Sequence, residues 1–317
     1  MRVLYAGTPQ IAVPALDALA HSRHELVGVL TAPDRPGGRG RPMRASPVKE
    51  RAIELGIPIL QPDRLGGDAR TQTSLLEPEL LACFAYGKIF GPRFLGLFRF
   101  GGLNVHPSLL PRHRGPAPIP AAILAGDAET GVTVQGLARE MDTGDIYAQE
   151  RIPLTGTETT EDLTKLSAAI GAELLVDVIS RIDAGTATPT PQDHHLATYT
   201  RLVRKEDGRI DWTLPADRID RMVRAYTPWP RAHTTFRGEQ LSILESRVAP
   251  ETSAGGDTDG AVPGQVLRVD TSLGILVETG SGRLALRRLQ LQSRKPLEWR
   301  SFLNGVHDFI GAVLGGS

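Results

Sequence analysis

The sequence lacks the features that mark membrane-spanning, secreted and disulfide-bonded proteins. None of its uninterrupted apolar runs approaches the roughly 20 residues that cross a bilayer. The segment from Met1 to Gly7 has none of the charged, apolar and small-residue sections of a secretory signal peptide. The single cysteine, Cys83, cannot form an intramolecular disulfide, and its apolar neighbours predict a buried, unreactive thiol. These absences lead us to expect a cytoplasmic protein with no membrane partner.

Net charge is absent as well, because 36 acidic residues balance 36 basic ones. A polyanionic partner would therefore have to bind a local basic patch, since the chain as a whole creates no attractive field. The remaining composition is ordinary for a globular protein, with 40% hydrophobic and 23% charged residues. A length of 317 residues predicts two domains.

The first half of the chain alternates short apolar runs with helical patterns, which is typical of βαβ units and a parallel sheet. Thr8 is expected to cap the first helix, and Ser46 with Pro47 should open another helix that Gly56 ends. The pattern predicts a Rossmann-like, doubly wound α/β domain. We expect its strands over residues 2–6, 26–30, 57–60, 80–85 and 103–105.

A long helix is predicted over residues 160–184, where apolar residues recur at three- and four-residue spacing and Gly185 follows the last turn. Residues 186–196 are rich in Thr, Pro and Asp without periodicity, which is typical of an interdomain linker. Short alternating segments follow and predict a small β-barrel with an insertion loop over residues 250–263. We therefore expect a first domain over residues 1–187, a linker over 188–207 and a second domain over 208–317.

The segment Asn104-Val105-His106 ends an apolar strand and is followed by a proline-rich loop. Ligands of open α/β sheets bind beyond the carboxyl ends of the strands. Because Asn104 and His106 are two residues apart on an extended segment, both side chains should point to the same face. An amide beside an imidazole could stabilise a developing oxyanion, although either residue alone is more often a structural hydrogen-bonding group.

A second polar segment, Asp142-Thr143-Gly144, follows a strand-like stretch over residues 131–135. Asp-Thr-Gly forms tight turns and also marks the aspartic proteases. Such a protease needs two carboxylates that share one proton in a β-rich fold, whereas this sequence has one copy within an α/β pattern. The pattern argues against a protease and leaves Asp142 as either a turn residue or a functional carboxylate.

In combination, these segments resemble the formyltransferases that use 10-formyltetrahydrofolate, which carry Asn-x-His-x-Ser-Leu-Leu-Pro and, farther along the chain, Asp-x-Gly. Further matching segments narrow the resemblance to the methionyl-tRNA formyltransferase family, and the resemblance covers essentially the whole chain. The matching segments are Tyr5-Ala6-Gly7-Thr8-Pro9, residues 32–40, Ser46-Pro47-Val48-Lys49, Ala85-Tyr86-Gly87, Arg114-Gly115, Arg209-Ile210-Asp211-Trp212 and Pro228-Trp229-Pro230.

The resemblance implies a catalytic mechanism and a folate site. A substrate α-amine would attack the formyl carbon of the folate, and Asn104 with protonated His106 would stabilise the tetrahedral oxyanion. Asp142 would orient His106 and stabilise its charge. No metal is expected, because the sequence has no closely spaced cluster of metal-binding residues. The residues that would bind the folate are Tyr86, Gly87, Ser108, Leu109, Leu110 and Pro111.

The resemblance also implies that the protein binds initiator methionyl-tRNA for translation initiation and works as a monomer. Residues 35–51 form a basic, glycine-rich segment that would follow the tRNA backbone at its acceptor end. The arginines assigned to this contact are Arg39, Arg41 and Arg44, with Arg39 central. The second domain would be OB-like and would supply a further basic surface made of Arg287, Arg288, Arg294 and Lys295.

The chain departs from the family pattern at Gly136, Ala138 and Glu140, which leaves the local strand and turn geometry open. Three alternatives remain. An amino-sugar-nucleotide N-formyltransferase would share the catalytic residues but has no use for the basic segment. A non-catalytic folate- or tRNA-binding protein has no need of the intact catalytic residues. A dinucleotide dehydrogenase is disfavoured because Gly7-Thr8-Pro9 lacks the Gly-x-Gly-x-x-Gly fingerprint.

Overall fold

The computed structural model describes residues 1–36, 43–250 and 260–315. The chain divides into two compact units. The first unit contains residues 1–118, 129–153 and 163–201, and the second contains residues 119–128, 154–162 and the chain from residue 202. In the described ranges, no helix is long and apolar enough to cross a membrane.

Strands and helices alternate through the first part of the chain, as the sequence predicts. Its strands are β1 (Arg2–Gly7), β2 (Glu25–Leu30), β3 (Arg35–Pro36), β4 (Met43–Arg44), β5 (Ile59–Leu60), β6 (Leu80–Phe84), β7 (Gly102–His106), β8 (Glu129–Gly136) and β9 (Ile146–Pro153). Its helices are α1 (Val13–Ala20), α2 (Pro47–Glu54), α3 (Gly67–Ser74), α4 (Pro92–Leu95), α5 (Pro118–Ala125) and α6 (Thr160–Asp183).

The main sheet of the first unit has the strand order β5-β2-β1-β6-β7-β8-β9. The five strands from β5 to β7 are parallel, and β8 and β9 continue the sheet in antiparallel register. The strand order reverses between β1 and β6, which is the position where open α/β sheets bind their ligands. The predicted doubly wound sheet is confirmed.

Both faces of this sheet are covered, which explains why β6 is buried at every position. One face carries an apolar cluster that includes Leu81, Cys83 and Tyr86. The other face packs against α6, where a side-chain carbon at Gly171 would lie 2.7 Å from Val105 Cγ1. Glycine at this position therefore lets the helix approach the sheet closely.

One predicted helix cap is confirmed and another is wrong. The Ser46 hydroxyl accepts a hydrogen bond from the Lys49 backbone N–H at 3.0 Å, and α2 begins at the following proline. Thr8 caps no helix, because its hydroxyl donates instead to the Tyr86 carbonyl oxygen at 3.1 Å. The ends of β1 and β6 are adjacent in the sheet, so this bond joins the two loops at the point where the strand order reverses. The helix after β1 begins later, after a 3-10 turn over Gln10–Ala12.

The long helix is confirmed over Thr160–Asp183, and Gly185 follows it with a φ of +69°. This left-handed conformation favours glycine and is common just beyond a helix end. The segment that follows forms an isolated bridge with β9 through Thr190 and Ile146. Residues 163–201 belong to the first compact unit, whereas the linker over 188–207 and its domain boundaries stay a prediction.

The second unit is built on antiparallel strands, in agreement with the alternating pattern of the sequence. Its elements are α7 (Ala216–Ala225), β10 (Ala232–Phe236), β11 (Glu239–Val248), β12 (Val266–Asp270), β13 (Gly274–Glu278), β14 (Arg283–Leu291), β15 (Leu297–Glu298) and α8 (Trp299–Gly305). The strand order is β10-β11-β14-β13-β12, with β15 paired to β14, and no pairing among the described residues closes the sheet into a barrel. The core of the unit is apolar, and the motif residue Trp212 donates to Thr234 Oγ1 at 3.1 Å from within that core.

Candidate active site

The sheet places Asn104 and His106 at the carboxyl end of β7. Asn104 lies between Cys83 of β6 and Gln135 of β8, and His106 lies opposite Thr133. Side chains two residues apart on a strand share a face. The predicted common face is therefore the face of the polar residues Thr133 and Gln135.

His106 is buried and has a partner on each ring nitrogen. Its Nε2 lies 2.9 Å from the carbonyl oxygen of His113, and its Nδ1 lies 3.6 Å from Oδ1 of Asp142. A carbonyl oxygen can only accept, so the network assigns a hydrogen to Nε2 and leaves Nδ1 as the site where a proton is gained or lost. Burial lowers the pKa of His106, whereas the Asp142 carboxylate opposes this shift.

Asp142 is fixed at both carboxylate oxygens. Oδ2 accepts from the Gly115 backbone N–H at 2.8 Å, and Oδ1 accepts from Gln135 Nε2 at 2.8 Å. Its φ of +56° is in the left-handed region, which is uncommon for a residue other than glycine. The structure thus brings His106 and Asp142 together, as predicted, and it adds Gly115 and Gln135 as supports.

The turn that carries Asp142 depends on Gly144. A side-chain carbon at Gly144 would lie 1.8 Å from the carbonyl oxygen of Gly136, so no other residue fits there without moving the backbone. At Gly136 itself, the nearest atom to such a carbon would be Tyr147 Cε2 at 3.6 Å. The departure from the family pattern at Gly136 therefore leaves space beside the turn.

The third predicted catalytic group is the side-chain amide of Asn104. Within residues 1–36, 43–250 and 260–315, no side chain or backbone group hydrogen-bonds the Asn104 side chain. Gln135, its opposite neighbour in the sheet, is turned toward Asp142 instead. An amide held next to a buried His–Asp pair is equipped to donate a hydrogen bond to an oxyanion.

The loop after β7 is held from several sides. Ser108 is fully buried, and its hydroxyl donates to the carbonyl oxygen of Arg112 at 2.7 Å. The Leu110 backbone N–H donates to Thr133 Oγ1 at 3.3 Å, and Gln149 Nε2 donates to the Leu110 carbonyl oxygen at 2.9 Å. The Ser108 hydroxyl is therefore already hydrogen-bonded within the loop, so contact with a ligand there would have to come from other atoms of the loop.

The other predicted folate residues lie at the end of β6. Tyr86 is 2% exposed and stacks on Phe90, with ring centroids 5.3 Å apart. Burial raises the pKa of Tyr86 to about 12, and its hydroxyl has no hydrogen-bond partner among the described residues. Gly87 follows with a φ of +85°. Nearby Cys83 is buried, which raises the pKa of its thiol to about 12 and fits the expected unreactive role.

The predicted basic residues differ in whether an acid neutralises them. Arg44 lies opposite Arg35 in the β3–β4 hairpin, both are exposed, and no acidic group of the described chain pairs with either. Arg39 and Arg41 lie outside the described residues. Lys49 binds Asp34 at 2.6 Å, and Arg51 is paired with Asp17 and Glu54, so acidic side chains neutralise part of the basic segment.

The basic residues of the second unit show the same contrast. Arg287 pairs with Glu245 at 3.1 Å, and Arg288 lies 4.0 Å from Glu298. Arg294 and Lys295 are exposed, and no ion pair involves them in the part of the chain that the structure describes. Of the four residues, these two have the more available charge.

Family models match both parts of the chain. A family model described as "Formyl transferase" matches residues 1–179, and one described as "Formyl transferase, C-terminal domain" matches residues 202–307. A methionyl-tRNA formyltransferase from Treponema denticola is 46% identical over 318 residues, which cover 98% of each chain. The chain belongs to the methionyl-tRNA formyltransferase family.

Other comparisons are consistent with this membership. A methionyl-tRNA formyltransferase from Chloroflexus aurantiacus is 47% identical over 308 residues, which cover 97% of each chain. A solved methionyl-tRNA formyltransferase from Clostridium thermocellum has a TM-score of 0.55 and 17% identity, and the match covers 78% of this chain and 94% of that one. At that identity, the structural likeness shows the fold alone.

Two residues that support the site of this methionyl-tRNA formyltransferase family member were given no role in the sequence analysis. Gln135 is buried and binds Asp142, and Gly115 supplies the backbone N–H on the other side of that carboxylate. Gly115 belongs to the matching segment Arg114-Gly115, but nothing in that segment alone indicates a contact with Asp142. A signal was available for Gln135, because a glutamine within a strongly apolar strand needs a buried hydrogen-bond partner.

Proposed function

We propose that this enzyme transfers the formyl group of 10-formyltetrahydrofolate to the α-amino group of methionine on initiator methionyl-tRNA, for translation initiation in the cytoplasm. The observation that carries the proposal is the His106–Asp142 pair beside the Asn104 amide, which has no hydrogen-bond partner in the described chain. The relatives that match nearly the whole chain at 46–47% identity are named for this activity. No observation favours an amino-sugar acceptor.

The reaction needs no atom beyond those of its two substrates. The amine nitrogen attacks the formyl carbon, which forms the new N–C bond and a tetrahedral oxyanion. Collapse of this intermediate breaks the bond between the formyl carbon and N10 of the folate. The proton lost by the amine ends on N10, so the products are the formylated amine and tetrahydrofolate.

In this proposal, the Asn104 amide donates a hydrogen bond to the oxyanion. His106 acts at Nδ1, because Nε2 is already bound to the His113 carbonyl oxygen. A proton on Nδ1 makes the ring cationic, and Asp142 at 3.6 Å stabilises that charge. In this arrangement, Nδ1 is the ring nitrogen of His106 that is available for proton transfer, because Nε2 is engaged by a carbonyl oxygen.

The folate would bind where the strand order reverses. The buried Tyr86 hydroxyl lacks a partner among the described residues, which suits a hydrogen bond to a heteroatom of the pterin. Gly87 and the loop from Ser108 to Pro111 would contribute backbone groups and apolar contacts. The side chain of Ser108 is bound within the loop, so we expect its replacement by alanine to act through loop order rather than through a lost ligand contact.

The tRNA would bind the β3–β4 hairpin. Arg35 and Arg44 face each other across this hairpin, and like charges directly opposite destabilise a strand pair. Asp34, the nearest acid in sequence, is bound by Lys49 and Gln61. A phosphate between the arginines would relieve this repulsion, which supports Arg44 as a tRNA contact and agrees with the predicted roles of Arg39 and Arg41.

A direct assay tests the proposal. The protein is incubated with 10-formyltetrahydrofolate and either charged initiator methionyl-tRNA or an amino-sugar nucleotide, and the formylated products are quantified. We expect formyl-methionyl-tRNA and no formylated sugar. Formylation of the sugar alone would identify the alternative enzyme, and binding of both substrates without any product would identify a non-catalytic protein.

A further inference from the structure

A buried glutamine lies beneath the turn that carries Asp142. Gln192 is 5% exposed, although it lies in the segment that the sequence assigns to a linker. Its Nε2 lies 3.0 Å from the carbonyl oxygen of Asp142 and 2.7 Å from that of Gly144. One side-chain amide thereby holds two backbone carbonyls of the Asp142–Gly144 turn.

The other end of the same amide is bound by a buried arginine. Gln192 Oε1 accepts from Arg114 Nε at 3.1 Å and from Arg114 Nη2 at 2.7 Å. A guanidinium only donates and a carbonyl only accepts, so the network admits one orientation of the glutamine amide. Gln192 is fixed at both ends and cannot turn away from the Asp142 carbonyl without losing bonds.

Arg114 is buried, and no carboxylate of the described chain forms an ion pair with it. Its side chain is among the largest that are fully buried. Besides Gln192, the guanidinium contacts His194 Nδ1 at 3.0 Å and Tyr199 Oη at 3.2 Å. A buried cation needs hydrogen-bond acceptors in place of water. The Gln192 oxygen supplies one that accepts from two nitrogens of the Arg114 guanidinium at once.

The Asp142–Gly144 turn needs the hydrogen bonds from Gln192. Asp142 adopts a left-handed φ, which a residue other than glycine keeps only where its surroundings hold it. Gly115 and Gln135 hold the carboxylate, whereas Gln192 holds the backbone. Gln192 also approaches Gln135 Oε1 at 3.2 Å, so the two supports are in contact.

We infer that Gln192, anchored by Arg114, is a positioning residue that sets the place of the Asp142 carboxylate relative to His106. The inference rests on the proposed function, because its effect is measured as the rate of formyl transfer. Gln192 touches no reacting atom. Its loss would let the turn relax and move the carboxylate away from the imidazole.

Two substitutions test the two ends of the Gln192 amide separately. Gln192→Leu removes both sets of hydrogen bonds. Gln192→Glu keeps an acceptor for Arg114, as an ion pair, but loses the N–H donors to the Asp142 and Gly144 carbonyls. We expect both variants to lower kcat by about 10- to 100-fold with little change in the KM for either substrate, since a small misplacement of a catalytic group acts on the chemical step. His195→Ala, an exposed neighbour in the same segment, should leave kcat unchanged.

A double-mutant cycle shows whether Gln192 acts through Asp142. If it does, Gln192→Leu should cost little once Asp142→Asn has been introduced, and the double variant should stay within about threefold of Asp142→Asn alone. The charged and titratable groups that face His106 are Asp142 and His113. Displacement of Asp142 should therefore shift the alkaline limb of the kcat profile to lower pH, which a purely structural loss would not do.

The outcomes are distinguishable. If the wild-type protein formylates no substrate, the proposed function fails. If the wild-type protein is active and folded Gln192→Glu has the wild-type kcat and pH profile, the positioning role is wrong. Effects of Gln192→Leu and Asp142→Asn that multiply fully would also overturn it. Thermal unfolding of each variant establishes that the proteins compared are folded, and the glutamate variant keeps the test open if the leucine variant does not fold.

Discussion

The two units bury different kinds of polar group. In the first unit, buried imidazole, guanidinium and amide side chains surround the candidate active site, whereas the polar side chains buried among the described residues of the second unit are the hydroxyls of Thr234, Ser242 and Thr279. A buried polar group is tolerated when its hydrogen bonds are satisfied, so the cluster around the site has one arrangement and little freedom. The buried polar groups near the site are His106, Ser108, His113, Arg114, Thr133, Gln135 and Gln192.

The contrast indicates where each kind of function belongs. A fixed polar cluster suits chemistry, because the groups that stabilise a transition state are already in place. An apolar core with basic residues outside it suits the binding of a large polyanion, because exposed charges can follow a backbone. Substitutions in the first region should change the rate of the chemical step, and substitutions among the unpaired basic residues should change salt-dependent affinity.

The largest effect on rate is expected for Asn104→Ala. Its amide has no hydrogen-bond partner in the described chain, so its removal breaks no hydrogen bond there and takes away one donor to the oxyanion. Loss of such a donor lowers kcat by about 100- to 1000-fold. The measurement is single-turnover formylation, with thermal unfolding as a check on the fold. Asn304→Ala, at an exposed position of α8, is the matched control, and equal rates for the two variants would contradict the assignment.

A comparable effect on stability, but not on chemistry, is expected in the second unit. Leu284 is fully buried in its core, so Leu284→Ala should lower the free energy of unfolding by about 2–5 kcal/mol. The remaining folded protein should keep its kcat. Urea denaturation and initial rates test this, with the half-exposed Leu297→Ala as control. A large fall in the kcat of fully folded Leu284→Ala would contradict the expectation that the core of the second unit affects stability and not chemistry.

A smaller effect is a shift in pH dependence. Burial lowers the pKa of His106 and Asp142 opposes that shift, so Asp142→Asn should lower this pKa further. If the protonated ring is the active form, activity falls as pH rises through the pKa. The alkaline limb of the kcat profile should then move to lower pH.

Asp145→Asn is the control for this shift, because it removes the same charge from an exposed position of the same turn. The pH profile of each variant is measured with saturating substrates. An unchanged limb in Asp142→Asn would mean that the carboxylate does not act on His106.

The fold could be predicted because its signals are local. The spacing of apolar residues over 160–184, Gly185 at the helix end, and Ser46 with Pro47 at a helix start each act through neighbours in sequence. The helix cap predicted at Thr8 was wrong because the Thr8 hydroxyl donates to the carbonyl oxygen of Tyr86, a residue distant in sequence. Local capping preferences cannot anticipate such a competitor.

The site could be predicted in part. The spacing of Asn104 and His106 predicts their shared face on one strand, whereas their catalytic role, like that of Asp142, is a prediction that comes from the resemblance to a family. Gln192 could not be found, because a polar residue between prolines, threonines and an aspartate predicts exposure. Its burial depends on the guanidinium of Arg114 and the carbonyls of the Asp142 turn, which the fold alone brings together.

The smallest single-residue effect is expected at the basic surface, and it tests whether charge there is available to tRNA. Arg44 is exposed and unpaired in the described chain, so Arg44→Ala should weaken tRNA binding and reduce the log–log salt slope by about 0.7 to 0.9. Arg51 belongs to the same basic segment, but it binds Asp17 at 2.5 Å and Glu54 at 2.7 Å. Arg51→Ala should therefore leave the slope close to that of the wild-type protein. The measurement is the affinity for charged initiator tRNA across a salt series. Equal slopes for all three proteins would mean that the hairpin is ordinary solvated surface and that tRNA is held elsewhere.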